Sequence, residues 1–247
     1  MELEGSGIKQ RARLRLLFPP PLRGRVGEGG IPVPNHAWRP MPDVPPVVGL
    51  LLAGGLSRRM GGGDKTLRLL AGRPVLAHVI ERIGPQVRRL CLNVNGDPAR
   101  FAAFDLPIVA DSIEGFAGPL AGVLAGLDWA AVNAPDCQWV ASAPTDAPFL
   151  PRDLVLRLLA PCLRGDADMS CATSAGQAHP VVGLWPVSAR AELRRALAEE
   201  GIRKVDLWTA RYRLAPVEFS SEPVDPFFNA NRPEDLLEAE RLVALAP

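Results

Sequence analysis

The sequence predicts an α/β fold: a three-layer α/β/α domain built on a mostly parallel sheet. Three observations carry this. From residue 47 onward, short apolar runs of the kind buried on both faces alternate with segments of helical periodicity. The spacing between those runs calls for right-handed crossovers, and hence for parallel pairing. The 247-residue chain is also 47% hydrophobic and 22% charged, enough material for one large core.

The elements follow in order. VVGLLLA (47–53) is a continuous apolar run bounded by Pro46 and Gly54, a strand buried on both faces. PVLAHVIERI (74–83) sets Val75, Val79, Ile80 and Ile83 on one side of a helix, with Pro74 at its first turn. RRLCLNVN (88–95) and LPIVADS (106–112) are the second and third strands. Leu120 to Val132 reads as a helix, QWVASAP (138–144) as a strand ended by proline, and RDLVLRLL (152–159) as a helix. Beyond residue 165, ADMSCATS and HPVVGLW are strands, 188–200 and 202–210 helices, RLAPVEF a strand, and a last helix begins near Pro233. No repeat or linker interrupts 47–245.

Residues 1–45 stand apart. They carry seven of the 28 basic and four of the 27 acidic residues, net +3, which leaves net −2 for the rest. Proline- and glycine-rich, with FPPPLRGRVGEGG at its centre and no apolar period, this stretch reads as a disordered extension, and Met41 as the expected start of the protein proper. The overall charge of +1 argues against nucleic acid or acidic lipid as a partner. No apolar run approaches the length of a membrane span or a secretion signal. Cys91, Cys137, Cys162 and Cys171 are too widely spaced for a metal or redox pair and read as reduced thiols.

The chemistry concentrates in LLAGGLSRRMGGGDKT (51–66), where five glycines and three cationic side chains follow the first strand. Glycines let consecutive N–H groups turn inward around an anion, and Arg58, Arg59 and Lys65 add formal charge. Only Lys9, Lys65 and Lys204 are lysines, so a lysine in this loop points to a compact point charge. The alternative is a surface connection with solvated charges. A Walker loop is excluded, because Asp64 separates Gly63 from Lys65, and G-x-G-x-x-G is absent. In an open parallel sheet, ligands bind beyond the carboxyl ends of the strands. This loop leaves the first strand there; Asn93 and Asn95 follow the second, Asp111 the third and Asp146 the fourth. Asp146, between Pro144 and Pro148, suits a Mg²⁺ ligand; an Asx-turn is its other reading. For Asp111 the other reading is a cap on the residues after it, and for Asn231 a helix start at Pro233.

LLAGGLSRRMGGGDKTLRLLAGRPVLAHVIERI resembles the opening of nucleotidyltransferases, and within them it is most similar to molybdenum cofactor guanylyltransferases, with LAGG, then R-M-G-G, then D-K. The similarity continues through NVN (93–95), VADS (109–112), GPLAG (118–122), PTDAPFLP (144–151), HP (179–180) and FFNANRPEDL (227–236). Related cytidylyltransferases usually carry LAAG; Gly54-Gly55 here favours guanine. Arg232 stands where a threonine cap is common.

The resemblance implies a Rossmann-like nucleotidyltransferase domain over 46–247 and a cytoplasmic, Mg²⁺-dependent enzyme. Such an enzyme joins GMP from GTP to the terminal phosphate of molybdenum-bound molybdopterin and releases pyrophosphate. Leu52, Ala53, Gly54 and Gly55 would line the guanosine, with Asn93 and Asp111 as further nucleotide contacts. Arg59 and Lys65 would hold the triphosphate, Asp146 the metal, and Asn229 and Asn231 the pterin, both side chains on one side of an extended segment. Acceptor molybdoenzymes would be partners. A cytidylyltransferase or sugar-phosphate nucleotidyltransferase is the alternative within enzymes, and a non-catalytic cofactor carrier the alternative outside them. His78 reads as surface or partly buried helix, His179 as substrate lining at most, and the five tryptophans as packing.

Overall fold

The computed structural model describes residues 44–53, 65–113, 115 and 118–245. Strand β1 (Val47–Leu52) is buried along its whole length. Its alternate residues serve two cores: Val47 and Leu51 face one layer, while Val48, Leu50 and Leu52 face the other. This is why the run is unbroken rather than alternating.

After β1 comes a tight hairpin, β2 (Leu69–Leu70) and β3 (Arg73–Pro74), which the sequence patterns did not signal. Ala71 and Gly72 both have positive φ (50° and 74°), as a type I′ turn requires. Helix α1 (Val75–Ile83) follows, then β4 (Arg89–Asn93) and β5 (Ile108–Val109). The strand expected over 106–112 shrinks to two residues, because Pro107 offers no N–H and the chain turns off the sheet to engage Asn93 and Asn95. A 3₁₀ turn, Pro98–Phe104, precedes β5, its first turn capped by the Asp97 carboxylate on the Ala99 N–H (2.9 Å).

Helix α2 (Pro119–Asn133) leads to the central strand β6 (Trp139–Pro144). Helix α3 (Leu154–Leu163) runs four residues past its expected end. Then come β7 (Met169–Ser174), β8 (Gln177–Pro186), α4 (Arg190–Ala198) and α5 (Val205–Thr209). Gly201, at φ 67°, separates these two helices, both shorter than their sequence patterns suggested. Strand β9 (Leu214–Phe219) and helix α6 (Pro233–Leu242) complete the chain.

Seven strands form one sheet in the order β5-β4-β1-β6-β8-β7-β9. Only β8 runs against its neighbours β6 and β7; the remaining pairs are parallel. Helices α1 and α3 pack on one face, and α2, α4 and α5 on the other, which makes the expected three layers. A third, small cluster (Leu70, Val75, Phe149, Val224 and Ala239) seats α6 against the hairpin. The Glu240 carboxylate accepts the Ala71 N–H across that contact (2.7 Å). Strand order diverges on either side of β1, so the crevice for a ligand opens at the carboxyl ends of β1, β4 and β6.

Candidate active site

Lys65 begins a 3₁₀ turn, Lys65–Leu67, directly before the hairpin. Its ammonium donates to the Asp146 carboxylate and to the Asn231 side-chain oxygen (2.7 Å). Asp146 lies two residues beyond β6 and is 7% exposed, whereas Asn231 precedes α6 and is exposed. Two features deliver Asn231 there. The small apolar cluster docks α6 on the hairpin, and the Ala230 N–H donates to the Asp146 carbonyl (2.9 Å).

The start of α6 is secured without using the Asn231 side chain. Asp235, in the first turn, accepts the backbone N–H groups of Asn231 (2.9 Å) and Arg232 (2.8 Å). That carboxylate supplies the back half of a capping box, and the capping reading of Asn231 gives way to the Lys65 contact. The expected alternation of Asn229 and Asn231 is corrected. The Asn231 N–H donates to the Asn229 carbonyl (3.1 Å), which bends the segment rather than extending it.

A second polar group sits beyond β4 and β5. The Asp111 carboxylate accepts Asn93 Nδ2 (2.9 Å) on one oxygen and Asn95 Nδ2 (2.7 Å) on the other. Its own N–H donates to Asn95 Oδ1 (3.2 Å). Asn93 is 2% exposed and also donates to the Val109 carbonyl (3.0 Å). Its Oδ1 lies where α2 passes closest: a Cβ added at Gly122 would stand 2.5 Å from it. Asn93 therefore orients Asp111 from below, and only glycine fits above it.

At the end of β1 the backbone is already engaged. The Leu52 carbonyl accepts the Thr145 N–H (3.3 Å), and the Ala53 N–H donates to the Asn93 carbonyl (3.0 Å). These bonds tie the carboxyl ends of β1, β4 and β6 into one rim. Gly54, Gly55, Arg58 and Arg59 lie outside the described residues, as do residues 1–43.

A third group closes the rim beyond β7, and the sequence reading missed it. The Ser174 hydroxyl donates to Asp225 Oδ1 (2.9 Å) and lies 2.8 Å from His179 Nε2. With its single proton given to the carboxylate, the hydroxyl accepts from the ring, so Nε2 carries the proton. Burial pushes the His179 pKa below its usual value, against the pull of Asp225 and Glu218. Asp225 lies just ahead of the quoted FFNANRPEDL, the one signal that could have marked it.

His78 is half-buried in α1 and sits 2.8 Å from the Leu70 carbonyl, so its Nε2 must be the donor. All four cysteines are free thiols, and burial raises those of Cys91, to about 12, and Cys171, to about 11, far from reactive. Among the described residues, no group of three or more His, Cys, Asp or Glu side chains could hold a metal by itself, and no helix is long and apolar enough to cross a membrane.

Comparison with known proteins gives a consistent picture. The model of the MobA-like NTP transferase domain matches residues 49–212. A molybdenum cofactor guanylyltransferase of Rhodopseudomonas palustris (strain BisB5) is 59% identical over 203 residues, 82% of this chain and 97% of that protein. One from Bradyrhizobium sp. (strain ORS 278) is 61% identical over 199 residues, 81% of this chain and 94% of that protein. Among solved structures, molybdopterin-guanine dinucleotide biosynthesis protein A of Archaeoglobus fulgidus superposes with a TM-score of 0.62 at 23% identity, covering 80% of this chain and 99% of its own. That likeness bears on the fold.

Proposed function

The chain belongs to the molybdenum cofactor guanylyltransferase family, and from that premise we propose how its residues divide the work. The enzyme transfers GMP from GTP to the terminal phosphate of molybdenum-bound molybdopterin. An oxygen of that phosphate attacks the α-phosphorus of GTP, the bond to the β-phosphate oxygen breaks, and pyrophosphate leaves. One anion attacks another, so neutralising charge and aligning the two phosphates matter more than covalent catalysis.

One observation carries the assignment of roles: a single ammonium, on Lys65, reaches both the Asp146 carboxylate and the Asn231 amide oxygen. Asp146 stands on the nucleotide side, beyond β6. Asn231 stands on the acceptor side, before α6. Lys65 lies where the two substrates' phosphates would meet, and an ammonium beside a phosphate oxygen is worth about 4 kcal/mol at an intermediate dielectric. Arg59 would add charge from the glycine-rich sequence ahead of it. Leu52, Ala53, Gly54 and Gly55 shape the guanosine side, and Asp111, oriented by Asn93, meets the nucleotide. Asn229 and Asn231 contact the pterin.

Asp146 fits Mg²⁺. It is an oxygen ligand at the strand end, already stabilising a cation, and magnesium takes one or two carboxylates together with phosphate oxygens and waters. The metal would neutralise the triphosphate and the departing pyrophosphate. Phosphate oxygens of the substrates and waters would be further ligands of the kind magnesium takes. We place the activity in residues 46–247 and in the cytoplasm, with acceptor molybdoenzymes as recipients of the product.

The test begins with thermal shifts of the protein with Mg²⁺ and each of GTP, CTP, ATP and UTP. At a hundred times its Kd a ligand adds about 2.7 kcal/mol, a shift of several degrees for a domain this size. A shift confined to GTP, followed by pyrophosphate release with molybdenum-bound molybdopterin under anaerobic conditions, supports the reading. Stabilisation by CTP alone would redirect it to a cytidylyltransferase. Stoichiometric binding without pyrophosphate release would leave a carrier.

A further inference from the structure

The Asp225–Asn231 segment is held at both ends, and only its far end meets Lys65. At the near end, Asp225 Oδ1 accepts the Ser174 hydroxyl (2.9 Å) and the Phe227 N–H (3.0 Å), so one carboxylate oxygen both closes a local turn and ties it to the end of β7. Ser174 is 1% exposed, and the His179 ring on its other side packs 4.5 Å from the Phe227 ring. Phe227 also meets Phe219 edge-on at 5.3 Å. At the far end, the Ala230 N–H donates to the Asp146 carbonyl and Asn231 accepts from Lys65.

We propose that Asp225 is a positioning residue for the acceptor side of the site: through Ser174 and the Phe227 N–H it sets where Asn229 and Asn231 stand relative to Lys65. Asn231 lies six positions after Asp225, and a chain that short transmits a displacement at its anchor to its other end unless something else holds it. The far end is held by the Ala230–Asp146 bond and by the Asp235 carboxylate on the Asn231 N–H, and Asp225 holds the other end, where its carbonyl accepts the Phe228 N–H (3.1 Å) and closes a turn. Fixing the near end through a buried hydroxyl removes the freedom that an exposed loop would otherwise retain. Asp225 touches neither Lys65 nor Asp146, so its effect must pass through the segment. The inference rests on the reading of Asn229 and Asn231 as acceptor contacts.

The experiment compares full-length Asp225→Ala, Asp225→Asn, Ser174→Ala and Asn231→Ala, measuring KM for molybdenum-bound molybdopterin and kcat in the transfer assay, and Kd for Mg²⁺·GTP by calorimetry. Asp225→Ala is expected to raise the acceptor KM about tenfold or more while leaving GTP affinity within about twofold, since only one side of the site loses its support. Asp225→Asn keeps an acceptor oxygen for both donors and should recover most of the loss. Ser174→Ala, the milder change should Asp225→Ala fail to fold, is expected to raise KM about threefold. An unchanged acceptor KM, or an equal loss of GTP affinity, overturns the positioning role. Asn231→Ala separates the two readings. If it leaves the acceptor KM unaltered, the acceptor-side assignment fails and the inference with it. If it raises KM while Asp225→Ala does not, only the inference fails.

Discussion

Lys65 and Asp146, 81 residues apart in sequence, form an ion pair at the mouth of the crevice, with side chains 20% and 9% exposed. In the proposed mechanism this partly shielded pair holds a cation where phosphates are handled. Replacing Lys65 with alanine should lower kcat/KM for transfer more than tenfold, about 1.4 kcal/mol in the barrier. It also leaves the Asp146 carboxylate without its partner. The variant should therefore be somewhat less stable and regain that stability in Mg²⁺ more than the wild type does. Transfer at the wild-type rate would remove Lys65 from the mechanism; a melting temperature equally responsive to Mg²⁺ in both proteins would remove the metal from Asp146.

Asp146→Asn tests the other half of the pair. The amide oxygen can still accept from Lys65, so the fold and the position of Ala230 should persist. What is lost is a formal negative charge for a hard cation. The rate should need about tenfold more Mg²⁺ to reach half its maximum, with little change in GTP affinity measured without metal. A magnesium titration that overlays the wild type refutes the assignment.

Gly122 and Gly126 give a matched pair on α2. A Cβ at Gly122 would stand 2.5 Å from Asn93 Oδ1 and 2.7 Å from Leu52 Cδ2, whereas one at Gly126 would stand 2.5 Å from Leu50 Cδ2. Overpacking of this kind costs about 1–3 kcal/mol at either position. Only the first displaces Asn93, and through it Asp111. Gly122→Ala should weaken GTP binding beyond what its stability loss explains, and Gly126→Ala should lower stability alone. Calorimetric Kd and thermal melts on both variants decide it. Equal effects on GTP would mean that Asn93 plays no part in orienting Asp111 for the nucleotide.

The parts of this protein that were legible in its sequence are those written in local pattern. The β1 run, the α1 face, and Asn93, Asp111 and Asp146 at strand ends follow from burial and topology, and Lys65 stood out by its rarity. The meeting of Lys65 with Asn231 was not legible, because it spans 166 residues and depends on Leu70, Phe149 and Ala239 coming together to seat α6. Nor was the β2–β3 hairpin: two-residue strands are too short to show a period, and its turn uses Ala71 where glycine or asparagine would have signalled one. Asp225 and Ser174 are common residue types whose pairing, across 51 residues, exists only in three dimensions. An extended segment would set Asn229 and Asn231 on one side; the bend between them is a backbone hydrogen bond that no side-chain pattern announces.

The hairpin beside Lys65 also makes stability depend on pH. His78 reaches it from α1 by donating Nε2–H to the Leu70 carbonyl. Burial lowers its pKa below 6.5, and the bond to Leu70, which favours the charged form, offsets this only in part; Arg73 and Arg82 push the same way as burial, Glu81 against it. A folded-state pKa below the unfolded one means that the unfolded chain binds the proton more readily. The contribution of His78 is then fully present above about pH 6.5 and is lost as pH falls through the folded value. His179, shifted in the same direction, adds to the effect. The melting temperature should fall between about pH 7.5 and 5, a window in which ordinary carboxylates titrate little. In His78→Gln, which keeps a donor for Leu70 but cannot titrate, the slope should flatten toward the share left by His179. A variant whose melting temperature tracks the wild type across this range would show that His78 is not the group responsible.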